Sequence, residues 1–339
     1  MKIKNVLYGL CLSCGLVLGI ATFLPQQAVS FENTGKKEAL LIQEQGSFMA
    51  GGTVVEAKEK YNPLAPTPQS QTLHGDHAYI FYQIPVNAKK YPMAFLHGAG
   101  QFSRTWETTP DGREGFQNIF LRKGYGVYLI DQPRRGNAGR STVPATLEAK
   151  PDEQFWFGQF RLGIYPDFYE GTQFAVGEES LDQFFRQMTP NTGPYDAEVI
   201  SNAMAAMFEK IGSAIFVTHS QGGGIGWKTA VKTKNIKAIV SYEPGSGFLF
   251  PKGEVPAPIK NASFMGDFKA LEIPLEDFMV FTRIPIIIYY GDNIPKTPCT
   301  EPHKDYWRCA MQMANLWAEA VNTHGGDVKV VYLPDIGTR

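Results

Sequence analysis

Ser220 lies in Val217-Thr218-His219-Ser220-Gln221-Gly222-Gly223-Gly224, where one hydroxyl is crowded by small residues. A serine becomes a useful nucleophile when a sharp turn holds its Oγ outward, beside a base and opposite N–H donors. That turn is strained, and it brings the following helix close to the preceding strand, so its neighbours must lack bulk. Gly222 fills the second glycine position of G-x-S-x-G, whereas Thr218 stands where the first would be. Two other readings use the same residues. A phosphate-binding loop needs Gly-Lys-Ser/Thr, and Trp227-Lys228-Thr229 lacks the glycine. A glycine-rich turn with a surface serine needs nothing further, so the remaining residues must decide.

Two carboxylates could serve such a serine: Glu243, in Glu243-Pro244-Gly245, and Asp292, after Gly291. In His97-Gly98-Ala99-Gly100 a turn without bulk can aim backbone N–H groups at a developing oxyanion. Glycine turns also follow many ordinary buried strands, and His97 reads equally as a packed structural histidine. Arg134, Arg135 and Arg140 could bind an anion, although solvation or local pairing is the preferred reading. Residues 154–174 are dense in aromatic side chains, Trp156 among them. They read as a cap, spanning about residues 145–195, that walls an apolar pocket; ordinary helical packing is the alternative.

These groups need a scaffold that brings them to one edge. Ala214–Val217, Met93–Leu96, Val127–Ile130, Ala238–Tyr242, Ile284–Tyr290 and Val328–Tyr332 are short apolar runs that read as strands. Gln117–Lys123, Ala197–Ile211 and Ala310–Val321 read as helices, and residues 225–231 continue as one after the serine. Strands alternating with helices imply a largely parallel sheet. Ahead of it, Ala39–Gln43, Gly52–Val55 and Ala78–Pro85 read as an antiparallel region. Ser220, Glu243, Asp292 and the His97–Gly100 turn then all fall at the carboxyl ends of strands, where such sheets gather their active groups.

The chain has 339 residues, 43% hydrophobic and 19% charged, enough for one large α/β domain. A formal charge of −1 gives no reason to expect nucleic acid as a partner. Residues 1–30 read as a signal peptide: Lys2 and Lys4, a mostly apolar run from Val6 to Leu24, then Ala28-Val29-Ser30 ahead of cleavage at Phe31. An uncleaved anchor is the alternative; after cleavage no stable membrane span is expected. Cys11 and Cys14 lie in this leader, leaving Cys299 and Cys309, an even pair that reads as a disulfide in an exported chain. A metal site is not expected, because only His303 lies between them.

Leu96-His97-Gly98-Ala99-Gly100, the stretch Thr105-Trp106-Glu107-Thr108-Thr109-Pro110-Asp111-Gly112, His219-Ser220-Gln221 and Val240-Ser241-Tyr242-Glu243-Pro244-Gly245 resemble the α/β-hydrolase superfamily. The likeness is greatest to secreted bacterial and fungal carboxylesterases whose triad acid follows the sixth strand, and it covers about residues 40–338. It implies an α/β-hydrolase fold: a mostly parallel sheet flanked by helices, with an aromatic-rich cap. It implies an exported serine esterase with no cofactor, acting on a small-molecule ester, with a homodimer allowed. Ser220 would be the nucleophile and Glu243 the acid, preferred over Asp292 on the Tyr-Glu-Pro-Gly match. Ala99 and Gln221 would give the oxyanion N–H groups, with His97, Gly98, Trp106 and Trp156 as candidates near the substrate. The histidine belongs in a loop after the last strand, beyond Leu333-Pro334-Asp335-Ile336-Gly337, and none of the chain's six histidines stands there. The expectation is therefore of a chain lacking the C-terminal histidine loop and helix, which folds but hydrolyses esters very poorly. An inactive hydrolase fold that only binds a ligand is the alternative, as is lactonase or thioesterase activity. His219 is expected to point away from Ser220, and His303 to be structural or exposed.

Overall fold

The computed structural model describes residues 38–334 except Val176 and Met265. The expected leader, with Cys11 and Cys14, and the Asp335-Ile336-Gly337 stretch lie outside the described residues. Two units divide the chain, Met1–Glu38 and Ala39–Arg339, and all the strands and helices described belong to the second.

Eight strands form the central sheet: β1 Ile42–Ala50, β2 Ala78–Pro85, β3 Met93–Leu96, β4 Val127–Asp131, β5 Ala214–His219, β6 Ile236–Tyr242, β7 Ile286–Tyr290 and β8 Val328–Tyr332. Their order is β1-β2-β4-β3-β5-β6-β7-β8. β1 pairs with β2, and β2 with β4, in antiparallel fashion; every other pair is parallel. The central strands are short and apolar because both faces are covered. β3 is buried at all four positions. β1 differs from its expected place. It starts at Ile42 and runs through the polar Glu44-Gln45 to Ala50. An edge strand needs only one half-buried face, so polar residues are tolerated there. Leu41, whose apolarity drew the expectation, is 68% exposed.

Helices cover both faces. On one side α4 Ala197–Ile211, α5 Gln221–Lys232 and the long α6 Pro302–Thr323 pack over the main core, where Trp227 and Trp317 meet at 4.5 Å between ring centroids. On the other, α1 Phe116–Arg122 buries its Leu121 in a cluster with Phe95 and Trp106. α6 starts eight residues before its expected Ala310. Glu301 caps it by accepting from His303 N and Lys304 N, and Pro302 opens the first turn. The first turn is polar, so apolar periodicity does not mark it.

The expected Cys299–Cys309 disulfide is absent: both thiols are free. Cys309 lies in α6, its Sγ against Lys260 O, whereas the Cys299 Sγ is turned to Glu301 O. The staple between these segments is Asp305. Its carboxylate accepts from Ala262 N at 2.8 Å, Cys299 N at 3.2 Å and Arg308 Nε at 2.5 Å.

Residues 153–186 sit apart from both core faces, as α2 Glu153–Gln159, a hairpin pairing Gly163–Ile164 with Asp167–Phe168, and α3 Glu178–Arg186. Phe157, Phe160, Leu162, Phe174 and Phe184 form their own buried cluster. Trp307 Nε1 donates to Gln159 O at 2.8 Å, and Tyr169 OH to Glu301 at 2.9 Å, tying this layer to the start of α6.

Candidate active site

Between β5 and α5 the chain turns in a single residue. Ser220 has φ 52° and ψ −118°, a conformation that side chains rarely adopt. Its backbone is fixed on both sides: Ser220 N donates to Tyr242 O, and Ser220 O accepts from Gly223 N and Gly245 N, each at 3.0 Å. The glycines that follow are sterically required. A Cβ on Gly222 would stand 2.6 Å from His97 O, and one on Gly223 2.5 Å from Pro244 Cβ. Thr218 fits in place of the first glycine for two reasons. Its Oγ1 bonds Ser241 Oγ at 2.8 Å, and its methyl faces Gly226 of α5, where a Cβ would be only 3.0 Å away. The bulk added before the serine is thus compensated six residues after it.

Opposite Ser220 runs the His97–Gly100 turn. His97 is fully buried behind it. Its Nε2 accepts from Gln132 N at 3.3 Å, so Nδ1 carries the proton and donates to Gly98 O at 2.9 Å. Burial, with the Arg135 charge second, pushes the His97 pKa down to about 3 and keeps the ring neutral. Arg135 Nη1 donates to the same Gly98 oxygen at 2.8 Å, its Nε holds Asn191 Oδ1 at 2.8 Å, and its Nη2 reaches Gln221 Oε1 at 3.4 Å. Arg135 is therefore a buried brace joining the turn to the residue after Ser220, and is neither solvated nor paired locally as expected. Arg134 does pair locally, with Asp76 at 2.7 and 3.0 Å, and Arg140 is exposed.

Glu243 follows β6 at φ 47° and is buried. Its Oε1 accepts from Gly291 N at 2.9 Å and from the guanidinium of Arg161, which enters from the loop after α2. Arg161 is wholly buried. Its Nε donates to Asp292 O at 3.3 Å, its guanidinium lies 5.0 Å from the Trp307 ring, and its Nη1 has no partner among the described residues. Asp292, the rival acid, is occupied otherwise: Oδ1 accepts from Tyr332 OH at 3.0 Å and from Asn293 N at 2.7 Å. The turn behind Glu243 is clamped by Tyr290 OH on Pro244 O at 2.8 Å and Tyr306 OH on Gly245 O at 2.5 Å.

No imidazole among the described residues is hydrogen-bonded to Ser220 Oγ. The His219 ring makes no hydrogen bond to Ser220 Oγ; it lies against Gly98 and borders the same cavity, with Trp106 and Phe160 on it at 6.4 and 6.0 Å. Its Nδ1 bonds Gln101 Oε1 at 2.9 Å, and burial pushes its pKa down to about 4, so it is neutral near pH 7. His303 Nδ1 bonds Gln159 Oε1 at 2.9 Å, a structural contact with α2. His324 pairs with Glu254 at the far end of α6.

A cavity of about 160 Å³ opens on Ser220. Ala99, Gln221, Glu243 and His219 border it, and so does Trp156. A second, of about 420 Å³, shares His219, Glu243 and Phe160 with the first and extends past Trp106, Tyr242 and Leu333. Trp106 thus belongs to the second cavity, Gly98 packs on Ser220 Cβ, and His97 borders neither. Sequence reasoning missed Arg161 and Gln101, and it singled out Arg135 without its bracing role. A trace of Arg161 was present: it is one charge inside the apolar run Phe160-Arg161-Leu162.

No family model matches the chain. Over 176 residues it is 34% identical to a protein of Fungal sp. (strain ATCC 74256) named as a probable secreted lipase. The match covers 49% of this chain and 48% of that protein, so the chain spans about half the length of the curated relative it matches. A solved bacterial esterase superposes with a TM-score of 0.67 at 28% identity, over 89% of this chain and 91% of its own.

Proposed function

The chain belongs to the α/β-hydrolase superfamily, and on that premise we propose that it is an exported serine hydrolase of carboxylic esters. One observation carries the reading. Ser220 stands on a strained one-residue turn, facing a cavity that Ala99, Gln221 and Glu243 also border. In this reading Ser220 Oγ attacks the ester carbonyl, and the alcohol leaves from an acyl-enzyme that water then cleaves. The Ala99 and Gln221 N–H groups receive the oxyanion, each worth about 3 kcal/mol in the transition state. Glu243, buried and already aimed by Gly291 N–H and Arg161, is the acid that orients the base. The resemblance puts that base after the last strand, where none of the chain's six histidines stands. The name of the fungal relative and the leader pattern together support export.

A binding-only role is the second reading, favoured by the lack of any described imidazole on Ser220 and by the engagement of Glu243 with Arg161. Release of p-nitrophenol from p-nitrophenyl butyrate separates the two. The wild-type chain and Ser220→Ala are compared with and without added imidazole, which can act as a base from solution. Hydrolysis above that of Ser220→Ala under either condition supports the hydrolase. Equal rates under both leave the binding-only reading. Parallel assays on a lactone and a thioester identify the ester class.

A further inference from the structure

We propose that the cavity beside Ser220 is an acyl slot for compact, uncharged, apolar acyl groups about the size of a benzene ring; the inference rests on the serine-hydrolase reading. Size is the first argument. An apolar protein cavity of about 150 Å³ accommodates benzene, and this one measures about 160 Å³. A decanoyl chain exceeds that volume and would have to extend past His219 and Phe160 into the cavity of about 420 Å³.

The walls are the second argument, because they are fixed. Five rings bound the slot: Phe155, Trp156, Phe160, Tyr306 and Trp307. Trp307 is tied through Nε1 to Gln159 O at 2.8 Å, and Tyr306 through its hydroxyl to Gly245 O at 2.5 Å. Phe160 packs edge-on to Phe184 at 5.3 Å. Trp156 packs against Gly100 of the His97–Gly100 turn, where a Cβ would stand 2.6 Å from the indole. Trp307, Tyr306 and Phe160 are thereby held in place along the slot.

Charge is the third. Three of the polar side chains that reach the slot are already engaged. Gln159 Oε1 bonds His303, Gln221 Oε1 bonds Arg135, and the Glu243 carboxylate faces Arg161. An acyl group with its own carboxylate would lose its hydration and face the Glu243 carboxylate, while Arg161, whose Nη1 has no partner among the described residues, stands behind Glu243 and Trp307 and does not border the slot. An ammonium group would meet a carboxylate already neutralised by Arg161, with that guanidinium also over Trp307. The retained half of the substrate suits this enclosed site, since the alcohol must leave before water attacks the acyl-enzyme.

The experiment is a panel of p-nitrophenyl esters on the wild-type chain and on Trp156→Ala, with circular dichroism to establish that the variant is folded. Wild type should prefer butyrate and benzoate, with kcat/KM at least 10-fold lower for decanoate and for the hemisuccinate. In Trp156→Ala the decanoate-to-butyrate ratio should rise at least 10-fold. A wild-type profile that rises towards decanoate, or a hemisuccinate equal to butyrate, overturns the slot. If no ester is turned over with or without added imidazole, the hydrolase reading fails, and the slot is judged by binding of inert methyl ketones. Saturation-transfer NMR should then show acetophenone bound in preference to 2-dodecanone, weakened in Trp156→Ala. Failure of acetophenone to bind overturns the proposal even then.

Discussion

Glu243 and Arg161 are 82 positions apart in the chain, yet each is the charge partner of the other in a buried site. Breaking such a pair leaves one charge unpaired and out of water, at a cost of about 3–5 kcal/mol. Arg161→Met should therefore lower stability by roughly 3 kcal/mol in urea unfolding. It should also lower esterase kcat, since Glu243 loses one of the two groups that aim it. Glu243→Gln should reduce kcat by orders of magnitude, and Asp292→Asn should have much less effect, because Asp292 is spent on Tyr332 and Asn293. The opposite ranking would exchange their roles. His97 and His219 give a pH signature. Their folded pKa values, about 3 and about 4, lie below the usual histidine range because both are buried. The unfolded state thus binds more protons between about pH 6.5 and 4, so stability falls as pH falls through that window. Urea midpoints from pH 8 to 4 should show this loss, and His219→Gln should reduce it.

At the scale of elements, the turn at Ser220 depends on backbone surfaces that tolerate no side chain. Gly222→Ala puts a methyl 2.6 Å from the His97 carbonyl, a backbone atom that cannot step aside. Stability should drop by about 1–3 kcal/mol, and ester hydrolysis should fall further because the His97–Gly100 turn is displaced. Thermal melts and kcat on one ester measure both effects. The same elements show what was legible before the structure. β2, β3, β8 and α4 have the bounds read from their apolar periodicity and turn residues. The start of α6 was hidden because a capped polar turn carries no hydrophobic signal. β1 was displaced because an edge strand obeys pairing with β2 more than its own composition. The serine and its turn could be read because a strained turn leaves a local signature in glycines. Arg135 and Arg161 could not, since their partners are set by tertiary contacts rather than spacing.

Across the whole molecule, the sheet brings Ser220, Glu243 and the His97–Gly100 turn to the carboxyl edge of adjacent strands, and the aromatic layer of residues 153–186 is fastened over it through α6. That fastening is noncovalent. Burial pushes the Cys309 thiol up to about 11, which makes it a poor nucleophile in the folded state. Alkylation in denaturant without reductant should modify both Cys299 and Cys309, and a linked peptide pair would contradict the free thiols. The central claim is that this architecture makes Ser220 a nucleophile. The most direct measurement is mass mapping after exposure to a fluorophosphonate, which phosphonylates activated serines. The account predicts one adduct, on the peptide containing Ser220, formed at least 10-fold faster in folded than in denatured protein and absent from Ser220→Ala. An adduct on another residue, or labelling of Ser220 no faster than in denatured protein, would contradict it.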